Sequence, residues 1–246
     1  MIQRARSIAF TVLFLLGSLF WSIALLWALI LPRKQCSAVV GFFYFGYIEF
    51  IEKYILGLHL KVEGLEHLPK DRPFIVAAKH QSAYETLKLM LFLDDPAIVL
   101  KEELTWIPLW GWYPKRMGHI PIDRGSATQA IRSIVKGAKK VKAENRPILI
   151  FPQGTRVAPG ADAPYRGGLG KLYKDVDLPI IPMALNSGLF WGKNAFWKTG
   201  GTVTFRFLPE IPAGLKPQEM MQQLEETIET HSNALLEDKV EDVQKQ

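Results

Sequence analysis

The feature that most constrains this chain is an uncharged run from residue 7 to residue 31. At ~1.5 Å per residue a helix of this run would be about 37 Å long, which is enough to cross a hydrocarbon core of ~30 Å with some tilt. Arg4 and Arg6 precede the run, and Arg33 and Lys34 follow it. The run predicts a membrane-embedded helix, and the basic residues at both ends leave its orientation open.

A cleaved signal peptide is the alternative interpretation of this run. The apolar part is longer than an ordinary signal-peptide core, and Leu31-Pro32-Arg33 lacks the small residues of a cleavage site. The sequence therefore favours a retained anchor.

A second apolar stretch extends from residue 36 to residue 60 and is rich in Phe and Tyr. Glu49, Glu52 and Lys53 interrupt it, which is typical of a helix that lies in the membrane interface. Two arrangements are open. The two stretches could form a hairpin that enters and leaves on one face, or the first could span alone while the second lies in the interface. Residues 1–60 are predicted to be a membrane-anchoring helical segment.

Residues 61–246 are predicted to form one α/β domain, because short apolar runs alternate there with helical periodicity. The expected fold is a mixed, mostly parallel sheet flanked by helices. Helices are expected over residues 82–92, after a capping box at residues 126–129, and from Pro217 onward. Strands are expected at residues 74–78, 97–100, 118–122, 147–151, 178–185 and 203–208.

Composition restricts the chemistry of partners and cofactors. The net charge of +6 suits an anionic partner, for which phospholipid head groups, nucleic acid and an acidic carrier protein are the candidates. The single Cys36 excludes an intramolecular disulfide. The five histidines and this cysteine show no close pair with the spacing of a zinc site, so we expect no metal.

The first chemical motif follows the predicted strand 74–78, where active-site residues of α/β sheets gather. His80 comes two residues after this strand and Glu85 five residues later. On one regular helix the two side chains would point about 140° apart. They can meet if His80 lies in the turn before the helix and Glu85 lies in its first turns, where the carboxylate would orient the imidazole as a general base. Ser82 lacks a Gly-x-Ser-x-Gly elbow and is expected to cap the helix instead.

The second motif, Phe-Pro-Gln-Gly-Thr-Arg at residues 151–156, directly follows another predicted strand. Gly154 allows a ligand to approach the backbone closely, and Arg156 offers a bidentate fork suited to phosphate. A tight turn with a surface arginine would give the same pattern.

The third segment begins at Lys101 and ends at Arg124. From Lys115 to Lys142 the chain has eight basic residues and one acidic residue, Asp123. This basic stretch is either a solvated helix face or a docking surface for anionic head groups or an acidic carrier.

These three segments, in this order, resemble the glycerolipid acyltransferase family, and within it the bacterial 1-acyl-glycerol-3-phosphate acyltransferases. The His-x4-acid motif of that family matches His80 to Glu85, and its Phe-Pro-Glu-Gly-Thr-Arg motif matches residues 151–156. Its second motif matches Lys101 through Arg124. A later apolar-Pro segment matches residues 181–183, so the resemblance covers about residues 70–190.

The resemblance implies transfer of a fatty acyl group from acyl-CoA or acyl carrier protein to the sn-2 hydroxyl of lysophosphatidate, giving phosphatidic acid. His80 would take the hydroxyl proton and Glu85 would orient His80. No cofactor, metal, acyl-enzyme or nucleic acid partner is implied. The implied location is the bacterial inner membrane, with the catalytic domain facing the cytoplasm.

The resemblance also implies a substrate-binding set. Arg156 would hold the phosphate, with Arg124 as a second candidate, and Lys101 or a backbone amide would stabilise the oxyanion. Gly154 and Thr155 complete the set as members of the same motif.

Two positions depart from the family pattern. The family usually has Asp where this chain has Glu85, and Glu where it has Gln153. The first change keeps the charge and adds a methylene. The second keeps the size and the hydrogen-bonding capacity but removes the charge, so we expect a structural role for Gln153.

Other functions remain open at the level of sequence. The acceptor could be another lyso-lipid, such as a lyso-ornithine lipid, or water could replace the acceptor and make the protein a hydrolase. A non-catalytic membrane protein that docks an acidic partner through residues 115–142 is the alternative from a different class.

Overall fold

The computed structural model describes residues 1–123 and 125–244, the last seven of these by backbone alone. The described chain alternates strands with helices after a helical N-terminal segment. Its strands are β1 (Leu58–Glu63), β2 (Ile75–Ala78), β3 (Ala97–Lys101), β4 (Ile120–Ile122), β5 (Ile148–Ile150), β6 (Ile180–Leu185) and β7 (Gly201–Phe207). Its helices are α1 (Ile2–Ala24), α2 (Arg33–Val40), α3 (Gly46–Ile51), α4 (Tyr84–Phe92), α5 (Trp112–Arg116), α6 (Ala127–Ala143), α7 (Gly168–Val176) and α8 (Pro217–Gln244).

The strands form one seven-stranded sheet in the order β1-β7-β6-β2-β5-β3-β4. All neighbouring strands are parallel except β6 and β7, which are antiparallel. The predicted mixed, mostly parallel sheet is therefore confirmed. Every residue of β2, β5 and β6 is buried, as expected for central strands that are covered on both faces.

The two faces of the sheet pack against different sets of helices. The N-terminal helices and α4 cover one face, where Val76, Leu149 and Ile181 join their apolar core. Helices α6, α7 and α8 cover the other face, where Ile75 and Ile148 point. The sheet thus separates the N-terminal helical segment from the helices on the far side.

The N-terminal segment is an antiparallel helical hairpin. Its first arm is α1, and its second arm is a nearly continuous helix from α2 to Leu56 that includes two π-helical segments, Gly41–Phe45 and Glu52–Leu56. Bonds between the arms run in antiparallel order: Arg6 Nε donates to Ile55 O at 2.7 Å, Tyr47 OH donates to Leu13 O at 2.9 Å, and the Ser18 and Tyr44 hydroxyls lie 3.1 Å apart. The two arms therefore pack against each other, and the choice between the two membrane arrangements stays a prediction.

The hairpin is also joined to α4 by buried charges. Lys88 of α4 lies 2.7 Å from Glu52 of the second arm, and both side chains are almost completely buried. An ion pair at such a depth is costly to break, because the remaining charge would have no partner. The ion pair therefore fixes the second arm against the helix that carries Glu85.

Helix α1 is long and apolar enough to cross a membrane. It exposes large apolar side chains along its outer face, and other exposed aromatics lie in the second arm and in two loops of the domain. Contiguous apolar surface of this kind marks a contact with lipid or another protein. The exposed set includes Ile8, Val12, Leu15, Leu16, Leu19, Phe20, Ile23, Phe42, Phe43, Phe50, Trp106, Trp112, Phe196 and Trp197.

The predicted strands and helices are present with errors at their boundaries, whereas β1, α5 and α7 were not predicted. The six predicted strands are present, and Ser126 Oγ accepts from Gln129 N, as the capping box required. The helix predicted from residue 82 begins two residues later, at Tyr84. The expectation that helix α1 runs to residue 31 was wrong, because the α-helix ends at Ala24 and a 3₁₀ turn follows.

One strand was missed. The sequence interpretation extended the second apolar helix to residue 60, but Gly57 adopts a left-handed conformation (φ 74°) and ends the helix. Strand β1 then begins at Leu58 and pairs with β7. Local apolar composition could not reveal this boundary, because the partner strand lies more than a hundred residues away in the sequence.

A substitution at Gly17 tests how closely the two arms of the hairpin pack. A Cβ at Gly17 would lie 2.2 Å from the Tyr47 ring, so Gly17→Ala must displace that ring. We expect a destabilisation of about 1–3 kcal/mol, seen as a lower Tm of the detergent-solubilised protein. The matched control is Gly46→Ala, since a Cβ there meets nothing within 4 Å and alanine favours helix. Equal Tm values for the two variants would contradict the packing of the two arms.

The buried His119 is expected to make the stability of the fold sensitive to acid. Its Nδ1 accepts from Ile98 N at 3.3 Å, and burial, assisted by Arg146, lowers its pKa from 6.5 to about 3. The stabilisation is therefore complete above pH ~6.5 and is lost as the pH falls towards 3, by about 2 kcal/mol at pH 5. In His119→Asn the amide oxygen can replace Nδ1 without titrating, so the Tm difference between pH 8 and pH 5 should shrink. The exposed His59→Asn should keep the wild-type difference, and an unaltered pH dependence in His119→Asn would refute the assignment.

Candidate active site

Three strands that end at one edge of the sheet carry the residues singled out by the sequence. Strands β2, β5 and β3 are parallel neighbours, so their carboxyl ends meet at that edge. His80 follows β2 by two residues, Phe151 follows β5 directly, and Lys101 is the last residue of β3.

The structure brings His80 and Glu85 into contact. His80 Nδ1 lies 2.8 Å from Glu85 Oε1. His80 lies in the turn before α4, and Glu85 lies in the first turn of that helix. This is the arrangement that the five-residue spacing required for a contact.

Glu85 is completely buried, and its carboxylate is satisfied by four donors. Oε1 accepts from His80 Nδ1, from Gln81 N at 2.8 Å and from Ser82 N at 2.7 Å, while Oε2 accepts from Ser187 Oγ at 2.7 Å. These bonds compensate for the loss of water around the charge. A carboxylate can only accept, so Nδ1 of a neutral His80 carries the proton and Nε2 is left as the acceptor.

The motif at residues 151–156 wraps around His80. The Phe151 ring stacks on the imidazole with the centroids 4.0 Å apart and an angle of 21° between the planes. Gln153 Oε1 accepts from His80 N at 3.3 Å, and Val157 N donates to His80 O at 2.8 Å. The loop thus fixes both the ring and the backbone of His80, and the expected structural role of Gln153 agrees with this contact.

Gly154 and Arg156 lie in this loop, close to His80. Gly154 has a φ of 67°, which a side chain would strain, and its N–H donates to Phe151 O at 2.9 Å. The Arg156 side chain is half-buried and makes no ion pair or hydrogen bond to the described residues. Thr155 is exposed, and its Oγ1 lies 3.5 Å from Lys193 Nζ. A guanidinium without a partner among the described residues, in the loop that binds His80, can serve as a site for an anion.

Lys101 lies at the same edge but not in contact with His80. It is exposed at the end of β3, two strand positions from β2, which corresponds to about 10 Å across the sheet. Arg124, the second candidate for the phosphate, lies outside the described residues.

Ser82 has a local structural role. Its Oγ accepts from Tyr84 N at 3.1 Å, which satisfies one free N–H at the start of α4, although Ala83 occupies the N-cap position. Its own N–H donates to Glu85. Both contacts hold the turn that carries His80.

Sequence reasoning missed Ser187 and Gln81. Ser187 follows β6, the neighbour of β2, and its hydroxyl donates to Glu85 Oε2. Gln81 Oε1 accepts from Gly188 N at 2.9 Å and so joins the same two loops. The position of Ser187 after a predicted strand was the one available signal, since residues after parallel strands share an edge.

A buried charge cluster supports His80 from the α8 side. The Lys79 ammonium is 1% exposed and is paired with Glu229 of α8. Tyr165 OH donates to the other oxygen of Glu229 at 3.0 Å. Because Lys79 directly precedes His80, this cluster ties α8 to the turn that carries the imidazole.

The described residues hold no group of three or more His, Cys, Asp or Glu side chains that could bind a metal. What they do hold is an imidazole with a free Nε2, a buried carboxylate behind it and, in the loop that binds the backbone of His80, an arginine without a partner among the described residues. This arrangement can remove a proton from a hydroxyl group of an anionic substrate.

Comparison with known proteins is consistent with this chemistry. A family model described as Acyltransferase matches residues 59–186. The 1-acyl-sn-glycerol-3-phosphate acyltransferase of Pseudomonas aeruginosa is 29% identical over 213 residues, covering 86% of this chain and 82% of that protein. The Limnanthes douglasii protein of the same name is 30% identical over 189 residues, covering 76% of this chain and 66% of that protein.

The fold is also that of a solved structure. The 1-acyl-sn-glycerophosphate acyltransferase from Thermotoga maritima superposes with a TM-score of 0.75 over 95% of both chains, at 22% sequence identity. The family model spans the sheet from β1 to the end of β6, including His80, Glu85 and residues 151–156. The chain therefore belongs to the Acyltransferase family.

Proposed function

We propose that this acyltransferase moves a fatty acyl group from a thioester donor to the sn-2 hydroxyl of 1-acyl-glycerol-3-phosphate, giving phosphatidic acid. The donor is acyl-CoA or acyl carrier protein. The observation that carries the proposal is the His80 imidazole, held through Nδ1 by the buried Glu85 and followed in space by the 151–157 loop, which binds the His80 backbone and contains Arg156. The names of the relatives supply the acceptor.

His80 acts as the general base in this mechanism. Its Nε2 takes the proton of the acceptor hydroxyl while the hydroxyl oxygen attacks the thioester carbonyl carbon. The imidazole becomes a cation, and the Glu85 carboxylate, 2.8 Å from Nδ1, stabilises that cation. His80 and Glu85 stabilise the transition state more than the ground state, because the positive charge on the imidazole develops in the transition state. This difference accelerates the reaction.

The tetrahedral intermediate then collapses. The bond between the carbonyl carbon and sulfur breaks, the carbonyl forms again, and the thiolate leaves. His80 Nε2–H returns its proton to this thiolate, so His80 and Glu85 end in their starting states. No acyl-enzyme forms, because the acceptor oxygen attacks the donor directly.

Arg156 holds the phosphate of the acceptor. It lies in the loop whose Val157 N donates to His80 O, so a phosphate on Arg156 places the glycerol backbone close to the imidazole. Lys101, about 10 Å along the sheet edge, supplies a second cation for the same head group, and Arg124 belongs to this proposed set.

Attachment to the membrane follows from the apolar hairpin. We place the exposed faces of α1 and of the second arm in the lipid, because water would otherwise contact large apolar side chains along the whole of α1. A narrow apolar cavity of about 90 Å³ lies between the hairpin and α4, lined by residues such as Trp21, Leu87 and Leu100, and has room for only a short apolar group. For the location we propose the bacterial inner membrane with the site on the cytoplasmic side.

The direct test of this function is acyl transfer by the purified chain in detergent. Palmitoyl-CoA and palmitoyl carrier protein serve as donors, and lysophosphatidate, lysophosphatidylcholine and a lyso-ornithine lipid serve as acceptors. The proposal expects phosphatidate to be the main product. A faster reaction with an acceptor that lacks a phosphate monoester would reject the proposed acceptor.

The charge of Glu85 is expected to be essential for rate. Glu85→Gln keeps the size and an acceptor oxygen for Nδ1 but cannot stabilise the imidazolium, so kcat should fall by about 10²-fold or more. His80→Ala should abolish transfer. Both variants are compared with the wild type only after a cooperative thermal transition in the same detergent shows that each is folded. Near-normal kcat in either variant would remove the pair from the mechanism.

Arg156 is expected to act on the acceptor alone. Arg156→Ala should raise the KM for lysophosphatidate by about 10–100-fold, since a charge-assisted phosphate contact is lost, and should leave the KM of the donor unchanged. Arg72→Ala is the matched control, because Arg72 lies before the opposite end of β2 and pairs at the surface with Glu210. An unchanged acceptor KM in Arg156→Ala would exclude the assigned role.

A further inference from the structure

A second cavity lies on the face of the sheet opposite the hairpin. It has a volume of about 530 Å³, within the range of roughly 300–1,000 Å³ that is typical of small-molecule sites. Its walls come from the first half of α6, including Ala127, Ala130 and Ile131, and from Gly167 and Gly168 at the start of α7. We call it the α6–α7 cleft.

The inner end of the α6–α7 cleft reaches the candidate base. Phe151 lines the cleft, and its ring is the one that stacks on the His80 imidazole at 4.0 Å. A ligand in the cleft can therefore extend to the reacting atoms by passing a single aromatic side chain.

A buried donor without a partner lies at this junction. Gln153 stands between the cleft-lining Pro152 and Gly154, and its Oε1 accepts from His80 N. Its Nε2 is buried and has no hydrogen-bond partner among the described residues. Gln153 itself does not line the cleft and its side chain is buried, so it connects the wall of the cleft to the backbone of His80.

Helix α6 carries only basic charges, and an exposed acidic residue, Asp123, follows the lining Ile122. Arg166 is the one charged residue that lines the cleft in the described chain, and its stem lies against Gly154, where an added Cβ would be 3.4 Å from Arg166 Cγ. Its guanidinium is exposed and has no ion pair or hydrogen bond to the described residues. Helix α6 continues from the cleft with exposed Arg132, Lys136 and Lys139 and has no acidic residue.

We infer that the α6–α7 cleft holds the phosphopantetheine arm of the acyl thioester donor. The apolar walls suit the extended, uncharged part of the arm, Phe151 connects the inner end of the cleft to His80, and Arg166 suits the phosphate of the arm. This inference rests on the proposed function, because it assigns a donor site to the same reaction centre.

The cleft suits the donor rather than the acceptor because of the side on which it lies. The acceptor is a lipid and arrives from the hairpin, which packs on the other face of the sheet. The cleft lies among α6 and α7, whose exposed surface is charged and faces water. The two substrates thus meet at His80 from opposite faces of the sheet. Coenzyme A and carrier protein carry the same arm, so both fit this chemistry.

A bulky residue in the cleft is the first test, on the purified full chain in detergent. Ala127 is exposed at the start of α6 and lines the cleft, so Ala127→Trp fills it with little cost to the fold. We expect the KM of the acyl donor to rise about tenfold or more and the KM of lysophosphatidate to stay the same. Ala143→Trp, at the exposed opposite end of the same helix, is the matched control and should behave as the wild type.

The phosphate contact is the second test. Arg166→Gln should raise the donor KM by about tenfold, and Arg166→Lys should restore most of the loss. Palmitoyl-CoA and palmitoyl carrier protein are measured side by side, and the donor whose KM responds is the one that uses the cleft. An effect on the acceptor KM alone, or no effect on either donor, would overturn the inference.

A binding measurement separates this inference from the proposed function. In the His80→Ala background, palmitoyl-CoA and palmitoyl carrier protein are titrated against the Ala127→Trp and Ala143→Trp variants. Weaker binding of either donor by the Ala127→Trp protein alone would support the donor cleft even if no acceptor were acylated by the wild type. Equal binding of both donors by the two variants would reject the cleft even if phosphatidate were formed.

Discussion

The Glu85 carboxylate is the constraint on which the site depends, because a fully buried charge needs donors from several parts of the fold. It takes them from the His80 ring, from the backbone of the 81–82 turn and from Ser187 after β6. If one of these elements moved, the buried carboxylate would lose part of the hydrogen bonding that compensates for its removal from water. The hydrogen bonds that orient His80 therefore also hold two neighbouring strand ends in register.

Further contacts connect the His80–Glu85 pair and its neighbours to the helices on both faces of the sheet. The loop at residues 151–157 packs on His80 from β5, and the pair of Lys79 and Glu229 attaches α8. The pair of Lys88 and Glu52 attaches the hairpin to α4. Because these attachments are buried, the imidazole has a fixed position relative both to the apolar hairpin and to the α6–α7 cleft. The proposed mechanism needs this, since a lipid and a water-soluble donor must meet at one atom.

The sequence could predict the features that are local in the chain. Strand ends, the capping box at Ser126 and the condition on the spacing of His80 and Glu85 all follow from short-range patterns, and the structure has them. The family resemblance rests on the three motifs occurring in one order, because no single motif is specific enough to indicate the family. The extra methylene of Glu85 is accommodated, because the carboxylate still reaches His80 and both turn amides.

What the sequence could not predict depends on contacts between distant segments. Strand β1 looked like the end of an apolar helix, since its partner β7 follows more than a hundred residues later. Ser187 carries no motif and matters only because β6 lies beside β2. Lys101 shares a segment with other candidate residues, yet the order of the strands places it about 10 Å from His80 rather than beside it.

The central claim is that His80 activates a lipid hydroxyl for direct attack on a thioester. The most direct measurement is the amount of thiol released from palmitoyl-CoA compared with the amount of phosphatidate formed, with and without lysophosphatidate. Direct transfer predicts one thiol per phosphatidate and no release above background without the acceptor. A burst of thiol, or steady release of thiol and free fatty acid in the absence of lysophosphatidate, would contradict it.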